Sequence, residues 1–140
     1  MEKLKCILLV DDDSTTNFLN KELISSLNIA EFTHIAKNGE EALDYINQKG
    51  KFEGADTELH PQPNLILLDI VMPLMGGFEF LEHFSKLSNE KKNNIVIVFL
   101  TTFASPTDKF EQGPNDDIYY FIKKPLMKDN LLEILDKYFN

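Results

Sequence analysis

Three unbroken apolar runs stand out along the chain: Cys6 to Val10, Leu65 to Leu68 and Ile95 to Leu100. Each has strand length and is apolar on both faces, the pattern of central strands covered by helices on either side. Between them lie segments of helical period. Leu19, Leu23 and Leu27 repeat at intervals of four with Phe18 and Ile24 alongside, Ser14 stands where a cap is needed, and Asn28 suits the helix end. Glu31 to Ala36 alternates weakly, as a strand near a sheet edge does, with Phe32 and His34 on one side and Thr33 and Ile35 on the other. Glu40 to Gln48 reads as a helix turning Ala42, Leu43 and Ile46 inward, after an Asn38-Gly39 turn.

Lys49 to Pro63 breaks the pattern with two glycines and two prolines. It reads as an exposed, mobile connection, longer than most in compact domains. Past Pro73 and Gly76-Gly77, a helix presents Phe80, Leu81, Phe84 and Leu87, and Asn89 to Asn94 is a polar loop. Pro106 opens a short helix through Gln112, ended by Gly113-Pro114-Asn115. Ile118 to Ile122 is β-rich, and a last helix carries Leu131, Ile134, Leu135 and Tyr138. Strand and helix alternate five times, which specifies an α/β fold with a parallel sheet and helices on both faces.

The totals narrow the function. A chain of 140 residues with 43% apolar and 26% charged residues is sized for one globular domain. A net charge of -9, with no more than two adjacent lysines, excludes binding of a nucleic-acid backbone by this chain alone. Cys6 is the single cysteine, so neither an internal disulfide nor a thiolate metal cluster is available, and it is expected in the core. His34 has no second ligand at metal spacing and is read as structural. No stretch has the length of a membrane span or a signal peptide, and the expected compartment is the cytoplasm, with no membrane insertion.

Every strand but the second runs into a polar group: Asp11-Asp12-Asp13, Asp69, Thr101-Thr102 and Lys123-Lys124. In a parallel sheet these ends share one edge, where open α/β sheets bind ligands. Carboxylates brought to about 4 Å repel by about 4 kcal/mol at an effective dielectric of 20, so such a site calls for a cation. Oxygen ligands without sulfur or imidazole favour Mg²⁺. A lysine and a threonine hydroxyl nearby complete the parts phosphoryl transfer needs.

From end to end the chain resembles a response-regulator receiver domain of two-component signalling, of the single-domain type without an output domain. The resemblance is carried by Leu9-Val10-Asp11-Asp12, Leu67-Leu68-Asp69-Ile70-Val71-Met72-Pro73, Phe99-Leu100-Thr101 and Phe121-Ile122-Lys123-Lys124-Pro125. It implies a flavodoxin-like, doubly wound (βα)5 domain over residues 1–140, with strand order 2-1-3-4-5. It implies that Asp69 accepts a phosphoryl group from a histidine kinase or phosphotransfer protein, and that Asp11, Asp12, Asp69 and the Val71 backbone carbonyl hold Mg²⁺. Thr101 would bind the phosphorylated form, Lys124 would contact the phosphoryl group or Asp69, and Phe121 would be the switch aromatic. Output would be phosphorylation-dependent binding to a downstream protein rather than conventional enzyme turnover. The family often has a cis bond at the position of Lys124-Pro125.

Departures from the family pattern fall at Gly76, where a polar residue is common and a looser loop is expected, at the long Lys49–Pro63 connection, and around the short fourth helix. Asp13 is an extra carboxylate, read as a helix cap. Val71 and Phe103, two residues past the acceptor and the switch threonine, are apolar and cannot orient water, so self-dephosphorylation should be slow. Two other readings compete. Asp11-Asp12-Asp13-Ser14-Thr15 also fits the nucleophile motif of haloacid-dehalogenase-type phosphatases, which would use Asp11, although their late acidic motif is missing after Lys124. A receiver-like module that binds partners without phosphorylation is the other.

Overall fold

The computed structural model describes residues 3–102, 111–112 and 118–139. Among them, one sheet contains β1 (Leu4–Val10), β2 (Ala30–Ala36), β3 (Leu65–Asp69), β4 (Val96–Thr101), β5 (Glu111–Gln112) and β6 (Ile118–Lys123), ordered β2-β1-β3-β4-β6-β5. The five longer strands are parallel, and counted among themselves they run 2-1-3-4-5, as expected. β5 is a two-residue addition, antiparallel to β6. The helices are α1 (Ser14–Leu27), α2 (Gly39–Asn47), α3 (Gly77–Ser85), α4 (Asn89–Lys92) and α5 (Lys128–Phe139).

The apolar runs divide by parity between two cores. Cys6, Leu8, Val10, Ile66, Leu68 and Phe99 face α2 and α3, where Tyr45, Phe80 and Phe84 pack on them. Ile7, Leu9, Leu65, Leu67, Val98 and Leu100 face the other side, against Ile24 of α1 and Leu131, Ile134 and Leu135 of α5. A strand with period two and both faces covered has to be apolar throughout, and these are.

Ile24, Leu23 and Leu27 of α1 pack on the core as expected, but its first turns depart from the stripe its leucines suggest. Asn17, Asn20 and Ile24 are its buried residues, while Phe18 and Leu19 are 61% and 59% exposed. The Asn17 amide donates to the Asp11 carbonyl at 2.8 Å, and this bond turns the polar pair toward the sheet. The cap is Asp13 rather than Ser14: its carboxylate accepts from the Thr15 amide at 3.1 Å and the Thr16 hydroxyl at 2.8 Å. Asn28 ends the helix in the left-handed region, with φ of 53°.

Asn89–Lys92 forms a short helix where a loop was expected, capped by Ser88. Most of the helix expected over Pro106–Gln112 lies outside the described residues, but its last two positions are strand, because Glu111 and Gln112 pair with β6.

The Lys49–Pro63 connection is docked rather than bare. A 3-10 turn at Gly50–Phe52 lays the Phe52 ring edge-on to Tyr45 at 5.0 Å. The Tyr45 hydroxyl donates to the Pro61 carbonyl at 2.7 Å, and Gln62 donates to Ile46 at 3.2 Å. His34 is structural as expected: its Nε2 lies 2.8 Å from the Leu59 carbonyl, and its ring stacks on His60 at 4.7 Å. Cys6 sits beneath, buried, its thiol pushed up to about 11 by desolvation.

Burial also lowers the pKa of His34 below its ordinary 6.5, with the neighbouring His60 adding to the effect. A folded-state pKa below the unfolded one means that the unfolded chain binds more protons as pH falls through 6.5. Stability from this group is complete above pH 6.5 and is lost as acid protonates it. Urea midpoints should therefore fall between pH 7 and pH 5.5, and His34→Phe should flatten that decline. An unchanged slope in the variant would remove His34 as its source.

Candidate functional site: an acidic crevice at the sheet edge

β1 and β3 are neighbours, with Val10 opposite Leu68, so the residues that follow each meet at the carboxyl edge. Asp11, Asp12 and Asp69 each offer an oxygen there, all within 4.8 Å of one another. Asp11 is buried, Asp69 half-buried and Asp12 exposed, so the cluster opens to solvent on one side. Asp13 points away into its cap, as expected, and its hydrogen bonds to Thr16 and Thr15 hold its carboxyl below the ordinary range.

Lys124 reaches across from the end of β6. Its Nζ lies 2.8 Å from Asp11 Oδ2 and 3.3 Å from Asp69 Oδ1. Burial alone would lower its pKa, but hydrogen bonds and charge from Asp11 and Asp69 outweigh that and hold the ammonium above its ordinary value. Desolvation, and then the Asp11 charge, raise Asp69, with Lys124 opposing both. The Lys124-Pro125 bond is cis, and Lys124 N–H donates to the Thr101 carbonyl at 2.7 Å, which ties the lysine to the end of β4. Thr101 is buried, with the register pairing Thr101 and Lys123. The four strand ends that the pattern singled out thus do meet.

The segment after Asp69 is tight rather than loose. Gly76 allows a close pass: a Cβ there would stand 2.7 Å from the Ile70 carbonyl oxygen. Leu74 has φ of 66°, and Met75 N–H donates to the Pro73 carbonyl at 2.7 Å, closing a strained three-residue turn around it. Its side chain is 80% exposed and offsets little of that strain. Leu74→Gly should raise stability by about 1 kcal/mol, and Leu74→Ala, which keeps the strain, should not. Urea unfolding of both variants checks this.

Sequence reading missed Asn17. A buried amide on Asp11 matters because it orients the acidic segment, and its Oδ1 has no partner among the described residues. A polar residue three after the presumed cap, seven before Ile24 and so on the same helix face, was the available signal.

The chain matches the response regulator receiver domain family over residues 7–136. It belongs to that family. Response regulator Rcp1 of Synechocystis sp. is 33% identical over 125 residues, covering 89% of this chain and 80% of the relative. Two-component response regulator 24 of Arabidopsis thaliana is 31% identical over 93% of this chain and 81% of its own length. Among solved structures, a two-component response regulator from Cytophaga hutchinsonii superposes with a TM-score of 0.79 at 27% identity, covering 98% of both chains.

This protein is therefore a receiver domain of a response regulator in two-component signalling. Receiver domains bind Mg²⁺ at such an aspartate cluster and interact with histidine kinases or phosphotransfer proteins. The donor set here fits that ion, being all oxygen with no thiolate or imidazole among the three groups. Among the described residues, no helix is long and apolar enough to cross a membrane.

Proposed function

We propose that this receiver accepts a phosphoryl group on Asp69 from a phosphohistidine donor and signals by phosphorylation-dependent binding to a downstream protein, acting in the cytoplasm. The observation that carries the reading is the Asp11, Asp12 and Asp69 cluster bridged by Lys124. An Asp69 carboxylate oxygen attacks phosphorus while the donor imidazole leaves, giving an acyl phosphate. Asp11 and Asp12, with Asp69 and the Val71 carbonyl, would hold Mg²⁺, which when bound neutralises charge on the phosphoryl oxygens. Lys124 pairs with the same oxygens, and the Thr101 hydroxyl donates to one of them. Phe121, buried beneath on the α3 side, follows as the switch aromatic.

The phosphatase reading has less support. Lys124 bridges Asp11 and Asp69 alike, and Asp11 is the more buried carboxylate, already engaged by the Asp13 amide at 2.9 Å and by Lys124. Intact mass after incubation with Mg²⁺ and acetyl phosphate tests the proposal through a single phosphoryl adduct on Asp69.

Val71 is 71% exposed and, like Phe103, carries no group that hydrogen-bonds to water. The adduct should accordingly persist well beyond seconds in Mg²⁺ buffer, and Val71→Asn should shorten its lifetime. Decay within seconds in the unaltered protein would count against this.

A further inference from the structure

Gly77, the first residue of α3, sits where the acceptor strand ends. Its N–H donates to the Ile70 carbonyl at 2.8 Å, and a Cβ on it would lie 2.5 Å from the Asp69 carbonyl oxygen and 3.1 Å from the Phe99 ring. The start of α3 therefore rests without slack on the backbone of Asp69 and on Phe99 together. The next residue is Phe78, half-exposed, whose ring lies 5.2 Å from Phe99 and 6.4 Å from Phe121. Phe99 and Phe121 face each other across β4 and β6, stacked at 5.1 Å with planes 19° apart. Three aromatic rings thus lead from the acceptor backbone to Phe121, on the sheet face opposite α1 and α5.

We propose that Phe78 is a positioning residue for Phe121: the first turn of α3 carries the state of Asp69 to Phe121 through the Phe78, Phe99 and Phe121 stack, in parallel with Thr101. The inference rests on Asp69 being the phosphoryl acceptor. Displacement of the Asp69 or Ile70 backbone moves Gly77, because the approach leaves no room to absorb it. Phe78 moves with Gly77 on one rigid helical turn. The outer ring of the stack then shifts against Phe121 and changes the packing that the ring meets. Thr101 lies two residues beyond Phe99, at the carboxyl end of β4, and acts from the sheet edge.

The test uses the intact chain carrying 4-fluorophenylalanine in place of Phe121, with beryllofluoride and Mg²⁺ as the phosphoryl probe. The ¹⁹F resonance reads the ring, and the Val71 amide resonance reads occupancy beside Asp69. In otherwise unaltered protein both should shift. Phe78→Ala should reduce the ¹⁹F displacement by about twofold or more while the Val71 shift persists. Phe78→Leu, which keeps an apolar cover without a ring and guards against a folding defect, should be intermediate. Thr101→Ala should retain part of the displacement, and adding Phe78→Ala to it should remove the remainder.

A full displacement in Phe78→Ala, or its complete loss in Thr101→Ala alone, would assign the coupling to the threonine and overturn the proposal. Absence of any Val71 response in the unaltered protein would instead sink the acceptor reading on which the proposal stands.

Discussion

Asp69→Asn is expected to abolish the phosphoryl adduct formed from acetyl phosphate, and the loss should be complete rather than graded. The amide removes the nucleophilic oxygen and one carboxylate of the three that meet within 4.8 Å. Lys124 keeps its 2.8 Å partner, Asp11, so the variant should fold. Asp11→Asn leaves the nucleophile in place but weakens the cation site and leaves Lys124 with Asp69 alone, so its adduct should be reduced, and Mg²⁺ should be needed at higher concentration. Chelating Mg²⁺ should suppress the adduct in the unaltered protein. Intact mass and peptide mapping read each of these. An adduct that survives Asp69→Asn and disappears with Asp11→Asn would transfer the nucleophile to Asp11 and restore the phosphatase reading.

Gly77→Ala should destabilise the fold by about 2 kcal/mol even though alanine is the better helix former. The added methyl carbon would stand 2.5 Å from the Asp69 carbonyl oxygen, 3.1 Å from Ile70 Cα and 3.1 Å from the Phe99 ring. Two of those neighbours are backbone, and the third is a fully buried ring, so none swings aside cheaply. Relief has to come from moving α3 or the end of β3, which displaces Asp69. The variant should therefore show a lower urea midpoint together with slower phosphorylation by acetyl phosphate. An unchanged midpoint would mean that α3 shifts freely, and the coupling through Phe78 would lose its basis.

The continuous apolar runs at Cys6 to Val10, Leu65 to Leu68 and Ile95 to Leu100 announce a doubly covered parallel sheet, because both parities have to be apolar. That sheet in turn placed Asp11, Asp12, Asp69, Thr101 and Lys124 at one edge, since parallel strands end on the same side. These parts were legible because backbone periodicity decides them locally. The start of α1 was not. Leu23, Ile24 and Leu27 do pack on the core, but Phe18 and Leu19 stay exposed while Asn17 turns inward to bond the Asp11 carbonyl, a contact that the leucine spacing does not show. The docking of residues 49–63 was illegible for a related reason. His60, Phe52 and Pro61 find their partners His34 and Tyr45 far along the chain, and their glycines and prolines speak only of local turns.

By itself, then, the sequence determined the strand pattern, the parallel character of the sheet and the residue types at its edge, all consequences of periodicity and covalent order, while the strand order came with the resemblance to receiver domains. Tertiary structure alone decided that Lys124 spans Asp11 and Asp69 and that Phe78 reaches Phe99 and Phe121. Those are choices among contacts many residues apart, made by packing and by the satisfaction of buried polar groups, and no local pattern encodes them.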